Sequence, residues 1–235
     1  MKGGEAPIST SASTSDRERS RAAARGVGAR FFDLWSEVYD VGWVQQLAYR
    51  PVHDAVIDAL VRRPRRAVLD LACGTGLLTR RMRETLPGAR IMGCDFSSGM
   101  LEHARRADAD LAWVQGNALA LPFAEGRFDT VVSTEAFHWF PQPRTALAEI
   151  HRALEPGGQL LLAFINPPSP LLSEMARVGS RLIGDPVRWP TRPRLRGWLE
   201  AAGFRIESQR RISRLPAGIL LPPVLTSAVR PASAD

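Results

Sequence analysis

Thiols are scarce in this chain. Cys73 and Cys94 are the two cysteines in 235 residues, and neither has a His or Cys partner at metal-ligand spacing. No metal site is therefore expected, and the pair reads as small reduced residues of a cytoplasmic protein. Long apolar runs are also lacking. None approaches the ~20 residues that span a bilayer, and the stretch from Ile219 to Val224 is broken by Pro222 and Pro223. Residues 1–25 lack an apolar core, so no secretory signal is visible. They are rich in Ser, Thr, Ala and Arg, but Glu5, Asp16 and Glu18 do not suit an organelle-targeting peptide, and the segment reads as a solvated, disordered tail.

The remainder has globular proportions, with 45% hydrophobic and 23% charged residues. Residues 26–235 suffice for one domain with a sizeable core. The net charge is +7, carried almost wholly by arginine. A basic balance can mark a nucleic-acid binder. Here the segment through Arg30 sets six cations against three acids, and the other arginines are scattered or in doublets such as Arg62-Arg63 and Arg80-Arg81. A basic surface with a basic tail accounts for this, and no nucleic-acid partner is expected.

Phe31 to Asp40 is aromatic-rich, with Phe31, Trp35 and Val38 at helical spacing, and a second helix is expected over Val52 to Leu60. Strand and helix patterns then alternate. Strands are expected over Ala67–Leu71, Arg90–Cys94, Leu111–Val114, Phe128–Ser133, Gln159–Ile165, Phe204–Arg211 and Ile219–Val229. Helices are expected over Leu77–Leu86, from Ser97 or Ser98 to Ala107, over Pro143–Leu154 and over Leu195–Ala202. Regular alternation with near-continuous apolar strands implies an α/β fold with a doubly wound, mostly parallel seven-stranded sheet.

In such a sheet a ligand sits beyond the carboxyl ends of the strands. The first strand there runs Val68-Leu69-Asp70-Leu71 into Ala72-Cys73-Gly74-Thr75-Gly76, a tight turn that feeds a helix. The glycines let a ligand approach the backbone. Asp95 ends strand two and can accept from two ribose hydroxyls; Asn117-Ala118 follows strand three and can meet an adenine edge; Thr134-Glu135 follows strand four. A dinucleotide fold shares much of this, but the last position of G-x-G-x-x-G is Thr79. Asp70 beside the loop would also repel a pyrophosphate, whereas a ligand with an ammonium and a sulfonium would be attracted.

Residues 31–165 resemble the class I S-adenosylmethionine-dependent methyltransferases, and within them the small-molecule branch of quinone-biosynthesis C-methyltransferases. The matching segments are Val68–Gly76, Gly93–Leu101, Gly116–Phe123, Phe128–Ser133 and Leu154–Gly158. The resemblance implies a Rossmann-like fold with an N-terminal helical cap at about 26–62, a core at about 63–235, and S-adenosylmethionine as cofactor. By position it places Ala72, Gly74 and Gly76 under the methionine part, with Asp70 nearby through the loop or a water. It puts Asp95 on the ribose, Phe96 and Met100 beside the adenine, Asn117 and Ala118 at its edge, and the Thr134 backbone at the cofactor's amino group. Tyr39 would close over the cofactor from the cap.

His138-Trp139-Phe140 lies just past strand four, where an acceptor would sit. His138 is a candidate base or acceptor-orienting residue, with pocket lining the favoured role because methyl transfer needs alignment more than proton removal. An acceptor pocket is expected between the cap and residues 167–193, made apolar by Trp43, Tyr49, Leu171, Leu172, Met175 and Trp189. That favours a quinone, phenol, polyketide or lipid-like acceptor. The alternatives are an RNA or protein methyltransferase, and an inactive cofactor-binding fold acting as an interaction protein. Asn166-Pro167-Pro168 is similar to a motif of nitrogen methyltransferases, but it follows strand five and Ser169 replaces the aromatic. It is read as coincidence.

Overall fold

The computed structural model describes residues 49–181, 188–212 and 223–232. The expected tail, the Phe31–Asp40 helix, Tyr39 and Trp43 lie outside them. Helix α1 (Arg50–Leu60) precedes β1 (Ala67–Leu71), α2 (Leu77–Thr85), β2 (Arg90–Asp95), α3 (Ser98–Ala107), β3 (Ala112–Gln115) and β4 (Phe128–Thr134). After a short 3-10 helix (Phe137–Trp139) come α4 (Pro143–Ala153), β5 (Leu154–Ile165), α5 (Pro170–Arg181), α6 (Arg192–Ala201), β6 (Arg205–Arg211) and β7 (Pro223–Val229).

The seven strands lie in the order β3-β2-β1-β4-β5-β7-β6. β1 pairs parallel with β2 and with β4, so the chain starts in mid-sheet and winds outward both ways. The switch between β1 and β4 opens a crevice at their carboxyl ends, where such sheets bind ligands. β7 is antiparallel to both β5 and β6, which is why the sheet is mostly rather than wholly parallel.

Alternation along the strands sends successive side chains to opposite faces. Leu69, Leu71, Val131, Leu160, Leu162 and Phe164 pack with Ala146, Leu147 and Ile150 of α4 and with Leu195 and Leu199 of α6. Val68, Val132, Leu161, Ala163 and Leu225 pack on the other side with Val52, Val56 and Leu60 of α1 and with Leu78 and Met82 of α2. Two separate clusters on one sheet explain why β1, buried at all five positions, reads as a continuous apolar run interrupted only by Asp70.

Strand and helix ends differ from the expected ones by a few residues, and α5 was not among the expected helices. The largest shift is in β5, which begins at Leu154 rather than Gln159 because Leu154 already pairs with Phe128. The register break between Phe128 and Thr130 absorbs Pro156-Gly157-Gly158, and the Gly157 N–H donates to the Arg230 carbonyl at 2.8 Å.

Candidate functional site

The turn after β1 is held by its backbone. The N–H groups of Ala72 and Cys73 both donate to the Cys94 carbonyl, at 2.7 and 3.2 Å. The Gly74 N–H donates to Asp95 Oδ2 at 2.8 Å, and the Ser97 N–H donates to Oδ1 of the same carboxylate at 2.9 Å. Asp95 thus clamps the β1 loop to the start of α3, whose N-cap Ser97 accepts from the Met100 N–H. The two loop glycines have different reasons to be glycine. Gly76 (φ +76°) caps α2 in the left-handed region, and a Cβ there would overlap the Trp113 ring. At Gly74 (φ +55°) nothing lies within 4 Å of a Cβ, so the loop has open space in front of it. Ala72 carries a positive φ of 59° without being glycine, a strained conformation at the mouth of the crevice.

Trp113 was not legible as part of this site. Its indole N–H donates to the Asp108 carbonyl at 2.7 Å, and its ring lies against both Gly76 and Gly93. The available signal was two glycines, one after β1 and one in β2, needing a bulky neighbour to fill the space.

Asp70 lies beneath the loop, 1% exposed, and accepts from the Thr79 hydroxyl at 2.6 Å. Burial pushes its carboxyl up to about 7, against the Thr79 hydrogen bond, and nearby Asp95 raises it further. Its influence on a ligand is therefore electrostatic, exerted through the loop. Burial, with Asp70 and Asp95 nearby, also raises the Cys73 thiol, and Cys94 is pushed up to about 12. Neither is a nucleophile at neutral pH.

The next loop is tied to the same edge. The Gly116 N–H donates to the Asp95 carbonyl at 2.9 Å, and Asn117 Oδ1 accepts from the Leu119 N–H at 2.9 Å. Behind it Glu149 accepts from the Leu121 N–H at 2.8 Å, while Arg152 donates to the Phe123 carbonyl at 2.7 Å. The Arg152 hydrogen bond holds the Glu149 carboxyl below its ordinary range. Ala118 is half-buried against the core. Thr134 ends β4, and Glu135 (φ +51°) turns the chain with its N–H on the Ala163 carbonyl at 2.7 Å. Phe96 is 39% exposed beside Asp95, whereas Met100 is enclosed. The expected cofactor residues, Tyr39 apart, thus gather along one sheet edge.

His138 sits in the 3-10 helix, 7% exposed. Burial pushes its imidazole down to about 3, so it is neutral in the physiological range and a weak base. Its ring meets Trp139, Phe164 and Trp189, the last edge-on at 5.8 Å. Its Nδ1 is buried without a protein partner, as are Ser133 Oγ, Asn166 Oδ1 and Trp189 Nε1. All four atoms lie near or past the carboxyl ends of β4 and β5. Asn166 has a structural role, its Nδ2 donating to the Pro190 carbonyl at 2.8 Å.

A cleft of about 380 Å³ adjoins this region, lined by the start of α4, by α5, by residues 188–190 and by α6. Trp189 lines it as expected, but Leu171, Leu172 and Met175 do not. Leu171 is 69% and Met175 61% exposed. The reason is the helical period: Ser173, Glu174 and Arg177 share the side of α5 fastened inward by the Ser173 hydroxyl on the Trp189 carbonyl at 2.5 Å, which turns 171, 172, 175 and 178 outward. This cleft is lined by arginine and tryptophan, while the cap wall of the expected pocket, with Trp43, lies outside the described residues. Tyr49 is half-buried at the start of α1. Among the described residues no His/Cys/Asp/Glu cluster suits a metal, and no helix is long and apolar enough to cross a membrane.

Residues 69–162 match the family described as a methyltransferase domain. A demethylmenaquinone methyltransferase of Paenarthrobacter aurescens is 30% identical over 202 residues, 77% of each chain. A demethylmenaquinone methyltransferase of Beutenbergia cavernae is 39% identical over 141 residues, 60% of this chain and 56% of that one. The chain thus spans little more than half the length of some curated relatives it matches. A Haloferax volcanii methyltransferase, solved in complex with the methyltransferase activator Trm112, superposes with a TM-score of 0.70 at 28% identity, covering 85% of this chain and 97% of that one.

Proposed function

This chain belongs to the methyltransferase-domain family, among the class I S-adenosylmethionine-dependent methyltransferases, and from that premise we propose that it methylates a small acceptor with an aromatic or apolar body. Quinones, phenols, polyketides and lipid-like molecules are the candidate classes; the named relatives are demethylmenaquinone methyltransferases. A cytoplasmic setting goes with this reading.

The observation that carries it is the clamp between the Gly74 N–H and Asp95, with open space in front of Gly74 and the carboxylates of Asp70 and Asp95 about it. This pair of acidic acceptors suits a ligand bearing cations and ribose hydroxyls but no phosphate. A carboxylate offers about four lone-pair positions, and the Gly74 and Ser97 N–H groups orient that of Asp95 at the mouth of the loop. Phe96 and Met100 would flank the adenine, Asn117 and Ala118 meet its edge, and the Thr134 backbone accept from the amino group of the methionine part. Ala72, Gly74 and Gly76 would carry the methionine part, with Asp70 setting the field from below. S-adenosylmethionine supplies an electrophilic methyl carbon.

The protein's own contribution is alignment and water exclusion, which can supply several kcal/mol toward a displacement. His138 would line the acceptor side as a neutral imidazole, with the partnerless Trp189 Nε1–H donating to an oxygen of the acceptor and Asn166 Oδ1 accepting from one of its hydroxyls. The test is calorimetric titration with S-adenosylmethionine, followed by mass spectrometry of the four acceptor classes incubated with it. Saturable binding and a one-methyl mass increase are expected. Binding of NAD in its place would overturn the assignment.

A further inference from the structure

We propose that the cleft between α4, α5 and α6 is an anion-recognition subsite for the carboxylate or phosphate of a ligand with an aromatic or apolar body. As the acceptor's own anionic group, that ligand deepens the methyltransferase reading and rests on it.

The cleft's volume, about 380 Å³, is that of a small-molecule site. Its walls carry Arg144, Arg177, Arg188 and Arg194, with Trp189 and Trp198 between them. One carboxylate lines it, Glu174, and Arg177 already pairs with that group, its Nε donating to Oε2 at 2.9 Å. Arg144 and Arg188 have no carboxylate partner among the described residues, and Arg194 stacks over the Trp198 ring at 5.2 Å. Some arginines elsewhere are matched to acids, as in Arg66–Glu155, Arg83–Asp108 and Arg230–Glu125, while others such as Arg80 and Arg210 donate to backbone carbonyls. Four arginines line this one concavity, Arg177 and Arg188 half-buried and Arg144 and Arg194 exposed at its rim.

Guanidinium forks recognise carboxylate and phosphate oxygens in pairs, and aromatic faces beside them accept a flat or apolar body. Trp189 adds a buried indole N–H with no partner among the described residues. The cleft is joined to the acceptor side by the chain itself. The Arg188 N–H donates to the His138 carbonyl at 2.8 Å, and the Trp189 ring meets the His138 imidazole. A ligand anchored in the cleft would therefore lie beside the 3-10 helix after β4.

The test titrates the full chain, without cofactor, with phenyl phosphate and benzoate, followed by calorimetry and tryptophan fluorescence. Benzamide serves as the neutral counterpart, inorganic phosphate as the anion without a body, and phosphatidylglycerol vesicles as the lipid-headgroup source. Saturable binding of the aromatic anions is expected, roughly tenfold or more tighter than benzamide and inorganic phosphate. The Arg144→Gln/Arg188→Gln variant should lose about tenfold or more in that affinity, with Arg188→Lys falling between. S-adenosylmethionine affinity should be unchanged in both variants. Equal binding of benzamide, equal binding in the double variant, or no saturable anion binding would overturn the subsite. Binding to vesicles alone would replace it with a bilayer contact. Cofactor titration is read separately, so a failed methyltransferase assignment and a failed subsite give different results.

Discussion

The loop after β1 and the cleft between α5 and α6 stand over the carboxyl ends of the same sheet but are built from different materials. The loop is fixed by main-chain donors: Ala72 and Cys73 on the Cys94 carbonyl, Gly74 on Asp95, Gly116 on the Asp95 backbone. Its acids are buried or clamped, and its one large side chain, Trp113, acts by filling space against glycine. The cleft is built from side chains, with arginines from four segments, two indoles and a hydroxyl-to-carbonyl bond from Ser173. Main-chain geometry suits a ligand whose form does not vary, whereas side chains can be exchanged without disturbing the sheet. The loop end therefore fits a shared cofactor, and the cleft end an acceptor particular to this chain.

This contrast breaks most readily at its glycines. Gly76→Ala should cost roughly 2–5 kcal/mol of stability, because a left-handed conformation and overlap with Trp113 act together. Gly74→Ala, facing open space, should cost only about 1 kcal/mol while weakening cofactor binding. Urea unfolding of both variants checks this, and equal losses would mean that Trp113 does not set the Gly76 requirement.

Asp95→Ala should weaken S-adenosylmethionine binding by roughly 2–4 kcal/mol, through lost charge-assisted hydrogen bonds to the ligand and a freed Gly74 N–H. Calorimetry on the folded variant measures it. Unchanged affinity would remove Asp95 from the cofactor site.

The smallest effect concerns Asp70. Its folded carboxyl stands at about 7, against an ordinary value near 3.9 in the unfolded chain. Between about pH 4 and 7 the folded state therefore holds more protons, and stability falls as pH rises through that window. A cationic ligand favours the ionised form, so cofactor affinity should rise about three- to tenfold from pH 6 to 8. Asp70→Asn, which can keep the Thr79 bond, should flatten both trends. A wild-type affinity independent of pH would mean that Asp70 exerts no field on the ligand.

Much of the loop end could be read in advance. The end of β1, the turn glycines, Asp95 and Ser97 occupy short contiguous segments whose roles follow from local backbone geometry. The acceptor side was harder to read. Leu171, Leu172 and Met175 have the right character for a pocket lining, but sequence spacing defines which residues share a helix face and not which way that face points. His138 was found by its place after β4, while its depressed imidazole follows from burial by residues distant in sequence, including Phe164 and Trp189.

The sequence by itself determined the doubly wound order of elements, the position of the ligand loop and the residues along its edge. Each of these depends on periodicity and turn chemistry within a few residues. Tertiary structure alone decided that Trp113 closes over Gly76, that the Asp70 carboxyl is raised to about 7 by burial beneath the loop, and that Arg144, Arg177, Arg188 and Arg194 line one cleft. These depend on contacts between segments far apart in the chain. Packing and desolvation set them, and neither is encoded in any single stretch of residues.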